Sequence, residues 1–159
     1  MANGKQNTMS KDFQIQGMDG VINEIKSLSN DRMKRLEILK ILRRQMKPIL
    51  AAVKSNTPIA TKTITGRNGK VYEPENLKKS FAVRTSPIKK YPNVIVGPRK
   101  GNSAKNDGFY AFWIEYGAYD IPASNFIRNA AEPLMGSVNT TMSTELEKYI
   151  YKKAQTLNL

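Results

Sequence analysis

The stretch that decides the fold is residues 110–128, which read YAFWIEYGAYDIPASNFIR. It begins in an unusually apolar run, because six of the eight residues from 109 to 116 are large aromatic or aliphatic side chains, Trp113 and Tyr116 among them. Such a run is typical of a core or an interface. No basic residue interleaves with the aromatics, as it would on a base-stacking surface, so burial in the core is the prediction.

The second half of this stretch predicts a bend. Glu115 stands between two bulky apolar residues. We therefore expect it to be partly buried, with Arg128 or backbone N–H groups as partner, because a buried charge needs one. Gly117 permits a left-handed turn and Pro122 stiffens the loop. Phe126 is then expected to return the chain to the core, so these residues together form a predicted structural motif or interface.

Amphipathic helices are predicted on both sides of the bend. After one or two helical turns at residues 126–131, a final helix is marked by Val138, Met142, Leu146, Tyr149, Ile150 and Leu157. Before the bend, a long N-terminal helix, or two in series, is marked by Met18, Val21, Ile22, Ile25 and Leu28 and then by Leu36, Leu39, Leu42, Met46, Ile49, Leu50 and Val53. Pro48 cannot donate to the Arg44 carbonyl, which predicts a bend at residues 44–48.

Short strands are predicted between the helices. Residues 62–72, KTITGRNGKVY, favour a hairpin, because Asn-Gly accepts positive φ. An extended segment beginning at Leu77 and a second one at residues 93–97 predict an antiparallel pair. The expected fold class is α+β, with the long N-terminal amphipathic helix packed on a small antiparallel β-sheet and a C-terminal helix. We expect a flexible N-terminal arm at residues 1–12 and one domain at 13–159, with a hairpin-like insertion at 61–75.

Positive charge is concentrated in the first two thirds of the chain. The formal net charge is +13, and residues 1–100 hold 21 basic and 7 acidic side chains. At about 100° per residue, five basic side chains share one arc beside the apolar stripe and form what we call the basic ridge: Lys40, Arg43, Arg44, Lys47 and Lys54. A basic loop at residues 98–108 adds Arg99, Lys100 and Lys105. The ridge is either a solvated face or, with the loop, a contact surface for DNA or an acidic partner.

The composition disfavours catalysis. The chain has no Cys and no His, so disulfides, thiolate metal sites and the commonest general base are absent. The basic loop lacks the GKS or GKT ending of a phosphate-binding loop. A hydrolase using Glu115 and Asp120 would need two carboxylates across a cleft, which a separation of five residues in a tight loop does not indicate. We therefore predict no enzyme activity, no cofactor and no metal.

No targeting or membrane segment is predicted. The first residues, MANGKQNTMSKD, lack the apolar stretch of a signal peptide. The longest apolar runs, such as residues 49–53 and 110–114, are far too short to cross a bilayer. The expectation is a soluble chain that is not exported by a cleaved signal and has no membrane partner.

Four stretches, taken in order, resemble a known family: residues 17–20 (GMDG), 51–58 (AAVKSNTP), 76–81 (NLKKSF) and 110–132, whose Glu-aromatic-Gly, Pro-Ala and Phe-x-Arg elements precede a helix. Together they are similar to the tail-completion, or head-tail joining, proteins of long-tailed bacteriophages, tail components of the minor tail protein Z type. Two features differ from that pattern. Residues 61–75 are inserted, and Asn125 stands where a proline is common.

The resemblance implies an α+β subunit that forms a ring where tail meets head, a hexamer by expectation, with a dodecamer as the alternative. The implied partners are other copies of the chain, the head connector or adaptor, and tail-tube or tail-terminator proteins, with genomic DNA passing through the lumen. The implied localisation is the neck or tail of the virion, after assembly in the host bacterial cytoplasm. The alternative function is a basic nucleic-acid-binding protein whose ridge and loop contact phosphates.

Overall fold

The computed structural model describes residues 32–66, 69–86, 91–100 and 107–156. The predicted arm, the first half of the predicted N-terminal helix, Lys105 and Leu157 lie outside these ranges. Within them the chain combines helices with two small antiparallel sheets, which confirms the predicted α+β class.

Two helices in series, α1 (Arg32–Gln45) and α2 (Lys47–Asn56), open the described chain. They are separated at Met46, and Pro48 lies in the first turn of α2, so the helix is interrupted within residues 44–48, where the bend is predicted. The N–H of Leu50 still donates to the Met46 carbonyl at 3.0 Å. Backbone bonding therefore continues across the interruption, so the two helices stay joined end to end.

The insertion folds as a short antiparallel hairpin, at the position that the sequence predicts. Strand β1 (Ile64–Thr65) pairs with β2 (Val71–Tyr72), and Ile64 stands opposite Tyr72. Each strand contributes two residues, and an isolated pair of this size is not stable in water. Side-chain contacts with the rest of the fold must therefore hold the hairpin in place.

The main sheet follows a one-turn helix that the sequence did not predict. Helix α3 (Asn76–Ser80) leads directly into β3 (Phe81–Thr85), and every residue of β3 has an antiparallel partner in β4 (Val94–Pro98). The prediction of an extended segment from Leu77 is wrong, since Leu77 lies in α3. The turn is closed locally, because the Ser80 hydroxyl donates to the Leu77 carbonyl at 2.6 Å.

A single helix, α5 (Phe126–Thr156), forms the last part of the described chain. The predicted division into a short first helix and a separate final one is wrong. Pro133 lies inside α5, where it removes one backbone hydrogen bond, yet the helix continues through it. At 1.5 Å per residue, α5 is a rod about 46 Å long.

The core lies where α1, α2 and α5 meet the main sheet. Its buried members come from these elements and, at Leu77 and Ala111, from two short helices: Ile38, Leu42, Ile49, Val53, Leu77, Phe81, Ala111, Phe126, Ala130, Val138, Met142 and Leu146. The rings of Phe81 and Phe126 meet edge to face at 5.8 Å between centroids, an arrangement that aromatic pairs prefer. Phe126 therefore returns the chain to the core, as the sequence predicts.

Helix α1 runs antiparallel to the far half of α5. Arg44 forms a salt bridge with Glu145 at 2.7 Å. Eight residues further along α5, Lys153 lies 3.5 Å from Glu37. The neighbouring Tyr149 hydroxyl and, after it, Lys153 hold the pKa of the Glu37 carboxyl below its ordinary value. The interaction of the ionised Glu37 carboxylate with these neighbours stabilises the fold at neutral pH. It is lost as the pH falls through the lowered pKa of Glu37.

Candidate functional site

The aromatic run forms a short helix, α4 (Ala111–Tyr116), that shows most of its large side chains to solvent. Only its Ala111 and Glu115 positions are buried. Phe112 is 64% exposed, Trp113 46% and Tyr116 61%. The prediction of core burial is therefore wrong for these three aromatics. A helix buries one face, and here positions four residues apart place the small Ala111 and the carboxylate inward.

Glu115 fastens α4 to the beginning of α5. Its side chain is 4% exposed, and its carboxylate oxygens accept the backbone N–H of Ile127 at 2.8 Å and that of Arg128 at 3.0 Å. These N–H groups belong to the first turn of α5, where no intrahelical acceptor exists and the helix dipole favours a negative charge. Of the two partners predicted for Glu115, the Arg128 side chain or backbone N–H groups, the structure shows the backbone groups. Arg128 contributes its N–H, while its side chain is exposed.

The loop between the two helices is closed by backbone hydrogen bonds. Ala118 and Ile121 exchange two of them, at 2.8 and 3.1 Å. The carbonyl of Glu115 accepts the N–H of Asn125 at 3.1 Å. Gly117 has a φ of 83° and Asn125 a φ of 49°, so both adopt the left-handed region. Proline cannot reach a positive φ, which accounts for the asparagine at this position of the chain.

Pro122, the remaining predicted member of the bend, lies exposed on the loop. The carbonyl of Ile114 accepts both the N–H of Ser124 at 3.0 Å and its hydroxyl at 2.9 Å. Ser124 therefore attaches the loop to α4 by hydrogen bonds, and Pro122 stiffens the loop from its solvent-exposed side.

An apolar groove of about 630 Å³ lies between the hairpin β1–β2 and α4. Glu73 is the only charged side chain among the described residues that line it. The others are apolar, aromatic or glycine: Pro58, Ile59, Ala60, Ile64, Gly66, Tyr72, Pro74, Leu77, Phe109, Tyr110, Trp113, Ile114, Ala118 and Ile121. A contiguous exposed surface of this character marks an interaction site.

Aromatic contacts join the two walls of the groove. The ring of Tyr72 in the hairpin lies 6.2 Å from that of Phe109 and 5.9 Å from that of Tyr110. Asn76, which is buried, donates to the Tyr110 hydroxyl at 3.2 Å. These contacts supply the support that two short strands lack, so the insertion is fixed against α4.

The sequence did not predict this groove, because its walls come from segments as far apart as residues 58 and 121. One signal was present in the sequence. Ile64 and Val71 are apolar residues within the largely polar insertion at 61–75, Ile59 lies just before it, and all three are exposed. Apolar side chains that a hairpin does not bury are available to a partner.

The basic ridge is partly used within the fold. Arg43 donates to the Thr85 hydroxyl in β3, and Arg44 pairs with Glu145 in α5. Lys40 and Lys47 are exposed and Lys54 is half-buried. Arg99 and Lys100 of the basic loop are exposed as well. The ridge therefore leaves three lysines along α1 and α2, while its two arginines bind groups within the same chain.

The described residues contain no group of three or more Asp or Glu side chains placed to hold a metal ion. Both carboxylate oxygens of Glu115 accept backbone N–H groups, so this residue acts as a structural anchor. Among the helices within the described ranges, none is both long and apolar enough to pass through a bilayer.

Replacing Glu115 with Gln should weaken the join between α4 and α5. The amide has one acceptor oxygen for two N–H donors and no charge to oppose the helix dipole, so we expect the free energy of unfolding to fall by about 1–3 kcal/mol. Urea denaturation measures the change. Glu132→Gln, at an exposed position of α5, is the control and should change stability by less than about 0.5 kcal/mol. Equal effects of the two substitutions would contradict the role given to Glu115.

Replacing Gly117 with Ala should strain the bend. An added Cβ would lie 2.8 Å from the Ile121 carbonyl oxygen, at a φ of 83°, and we expect a loss of about 1–3 kcal/mol. Gly136→Ala is the matched control, because its Cβ would meet nothing within 4 Å in the middle of α5. That control should raise stability by about 0.5–1 kcal/mol. A Gly117→Ala protein as stable as the parent in thermal and urea unfolding would refute the strained turn.

A scan against protein-family models found no match for this chain, and searches of curated proteins and of solved structures found none either. Its function therefore has to be inferred from its own sequence and geometry.

Proposed function

We propose that this chain is a structural subunit of a long-tailed bacteriophage, whose copies form a ring that completes the tail and joins it to the head connector around the DNA passage. The observation that carries the proposal is the bend fixed by Glu115. It holds a helix of aromatic side chains on the outside of the fold, next to an apolar groove. A surface of this kind serves binding to other proteins.

The convergence of three of the resembling segments supports this proposal. Residues 51–58 end at Pro58, residues 76–81 contain Leu77, and residues 110–132 contain Trp113, and all three of these side chains line the same groove. Segments separated by dozens of residues thus build one surface.

A ring also requires two different complementary faces on each subunit. Helix α4 presents apolar side chains on two sides, with Trp113 toward the groove and the tilted pair Phe112 and Tyr116 outside its lining, at 4.8 Å between ring centroids. The proposed partners are neighbouring copies in the ring, the head connector or adaptor on one side and tail-tube or tail-terminator proteins on the other. The proposed location is the virion neck.

The second candidate function is nucleic-acid binding by the basic ridge. What favours it is the row of Lys40, Lys47 and Lys54 along α1 and α2 in a chain of net charge +13. The two functions are compatible, because the lumen of a neck ring is threaded by DNA, and a lysine row facing it would contact phosphates without reading sequence.

Electron microscopy of the purified protein, alone and with tail-tube or connector proteins, tests the ring. We expect closed rings in class averages and unjoined heads and tails in infected cells that lack the protein. Phe112→Asp should reduce assembly by roughly tenfold or more, since an unpaired charge in an apolar interface costs over about 1.4 kcal/mol. Ser137→Asp, an equal charge at an exposed site of α5, is the control. Absence of rings under every condition, together with joined particles in cells lacking the protein, would refute the proposal.

A salt titration of duplex DNA binding tests the second candidate. If the lysine row contacts phosphates, the logarithm of affinity should fall linearly with the logarithm of salt concentration, and Lys47→Gln should make that slope shallower by about 0.9. Lys148→Gln removes the same charge from the far half of α5 and should leave the slope unchanged. Binding that is absent at low salt, or a slope that both substitutions change equally, would exclude a specific role for the row.

A further inference from the structure

We propose that the apolar groove between the β1–β2 hairpin and α4 receives the apolar stripe of residues 18–28 from a second copy of this chain. This inference rests on the proposed ring assembly and deepens it, because it names the segment that joins neighbouring subunits.

The chemistry of the groove suits the apolar face of a helix. Its walls are built from aliphatic and aromatic side chains such as Ile59, Ile64 and Trp113, and Glu73 is the only charge among the described lining residues. Small-molecule sites in proteins combine an apolar lining with a few convergent polar groups. This groove is predominantly apolar over about 630 Å³, and proteins bind the apolar face of an amphipathic helix in grooves of this character.

The sequence contains a segment of matching pattern. Met18, Val21, Ile22 and Ile25 stand at positions i, i+3, i+4 and i+7, which is the spacing of the anchors that a helix inserts into an apolar groove. Leu28 continues the same stripe. The segment that predicts an amphipathic helix therefore carries a set of apolar side chains suited to the groove.

The length of the predicted helix favours a segment from another copy. Helix α5 begins at the Glu115 anchor beside the groove, and its Lys153 lies 3.5 Å from Glu37 in α1. From Arg128 to Lys153 the helix spans about 38 Å, so α1 begins at the end of the molecule remote from the groove. In the helical form that their apolar spacing predicts, residues 18–31 would reach about 21 Å from there. A predicted helix of this length is too short to return to the groove of its own copy, whereas a neighbour placed head to tail can receive it.

Charge favours the same pairing. Residues 13–31 carry three acidic side chains, Asp19, Glu24 and Asp31, and one basic side chain, Lys26, in a chain of net charge +13. An acidic segment is attracted to the strongly basic remainder of another copy, which speeds association. A contact between unlike surfaces of identical subunits is heterologous, so repeating it builds a ring or a filament.

Disulfide trapping in the full-length protein tests the contact, since the natural chain has no Cys. Ile25→Cys combined with Ile59→Cys places one thiol on the stripe and one in the groove wall, where Ile59 is 52% exposed. Under mild oxidation we expect a ladder of dimers and larger species on a non-reducing gel. Ile25→Cys with Ser137→Cys is the control and should give no ladder. A bond formed within one chain, or no more bonding than in the control, would overturn the proposal.

Mixing two charge variants supplies an independent test. Ile25→Asp disables the stripe, and Ile59→Asp disables the groove at a residue outside the described core. Each variant alone should be monomeric by light scattering, and an equal mixture should give about a twofold higher mass, because one intact stripe then meets one intact groove. Rings that persist in Ile25→Asp would overturn this contact while leaving the ring proposal standing. If the parent protein forms no rings and the variant with Ile25→Cys and Ile59→Cys also fails to cross-link, both the contact and the ring proposal fail.

Discussion

The contact on which the rest of the structure depends is the carboxylate of Glu115 at the first turn of α5. A charge this deeply buried is tolerated because two backbone N–H groups, which would otherwise lack acceptors, bind it on both oxygens. The contact fixes the direction of α5 relative to α4. It thereby decides that Phe126 enters the core while Phe112, Trp113 and Tyr116 remain outside.

The inserted hairpin takes its place from this arrangement. Its strands are too short to be stable alone, and Tyr72 holds it against Phe109 and Tyr110 at the entrance of α4. The result is a groove with two walls. One wall is α4, which the Glu115 anchor holds, and the other is the hairpin, which the Tyr72 contacts hold. An insertion that the resemblance leaves unexplained thus completes the surface that we propose for assembly, and the strongly basic chain supplies an acidic segment to fill it.

Local chemistry made much of the fold predictable. The fold class follows from apolar spacing along the chain. The helix interruption before Pro48, the hairpin and the positive φ at Gly117 follow from proline, Asn-Gly and glycine rules that act over a few residues. The exposure of the aromatic run could not be predicted. Its composition shows that the run is apolar, but not which face of the helix packs against the core. That choice depends on Glu115 meeting α5. Likewise α5 passes through Pro133 because packing on α1 and α2 outweighs one lost hydrogen bond, which periodicity alone does not weigh.

Native-state hydrogen exchange at Ile127 and Arg128 tests the central claim most directly. First-turn amides of an ordinary helix lack a backbone acceptor and exchange readily. If Glu115 anchors α5, these two amides should be protected to within roughly tenfold of the amide of Leu146 in the core. Exchange of both amides near the rate of an open chain, while Leu146 stays protected, would show that the anchor does not exist and would contradict the account built on it.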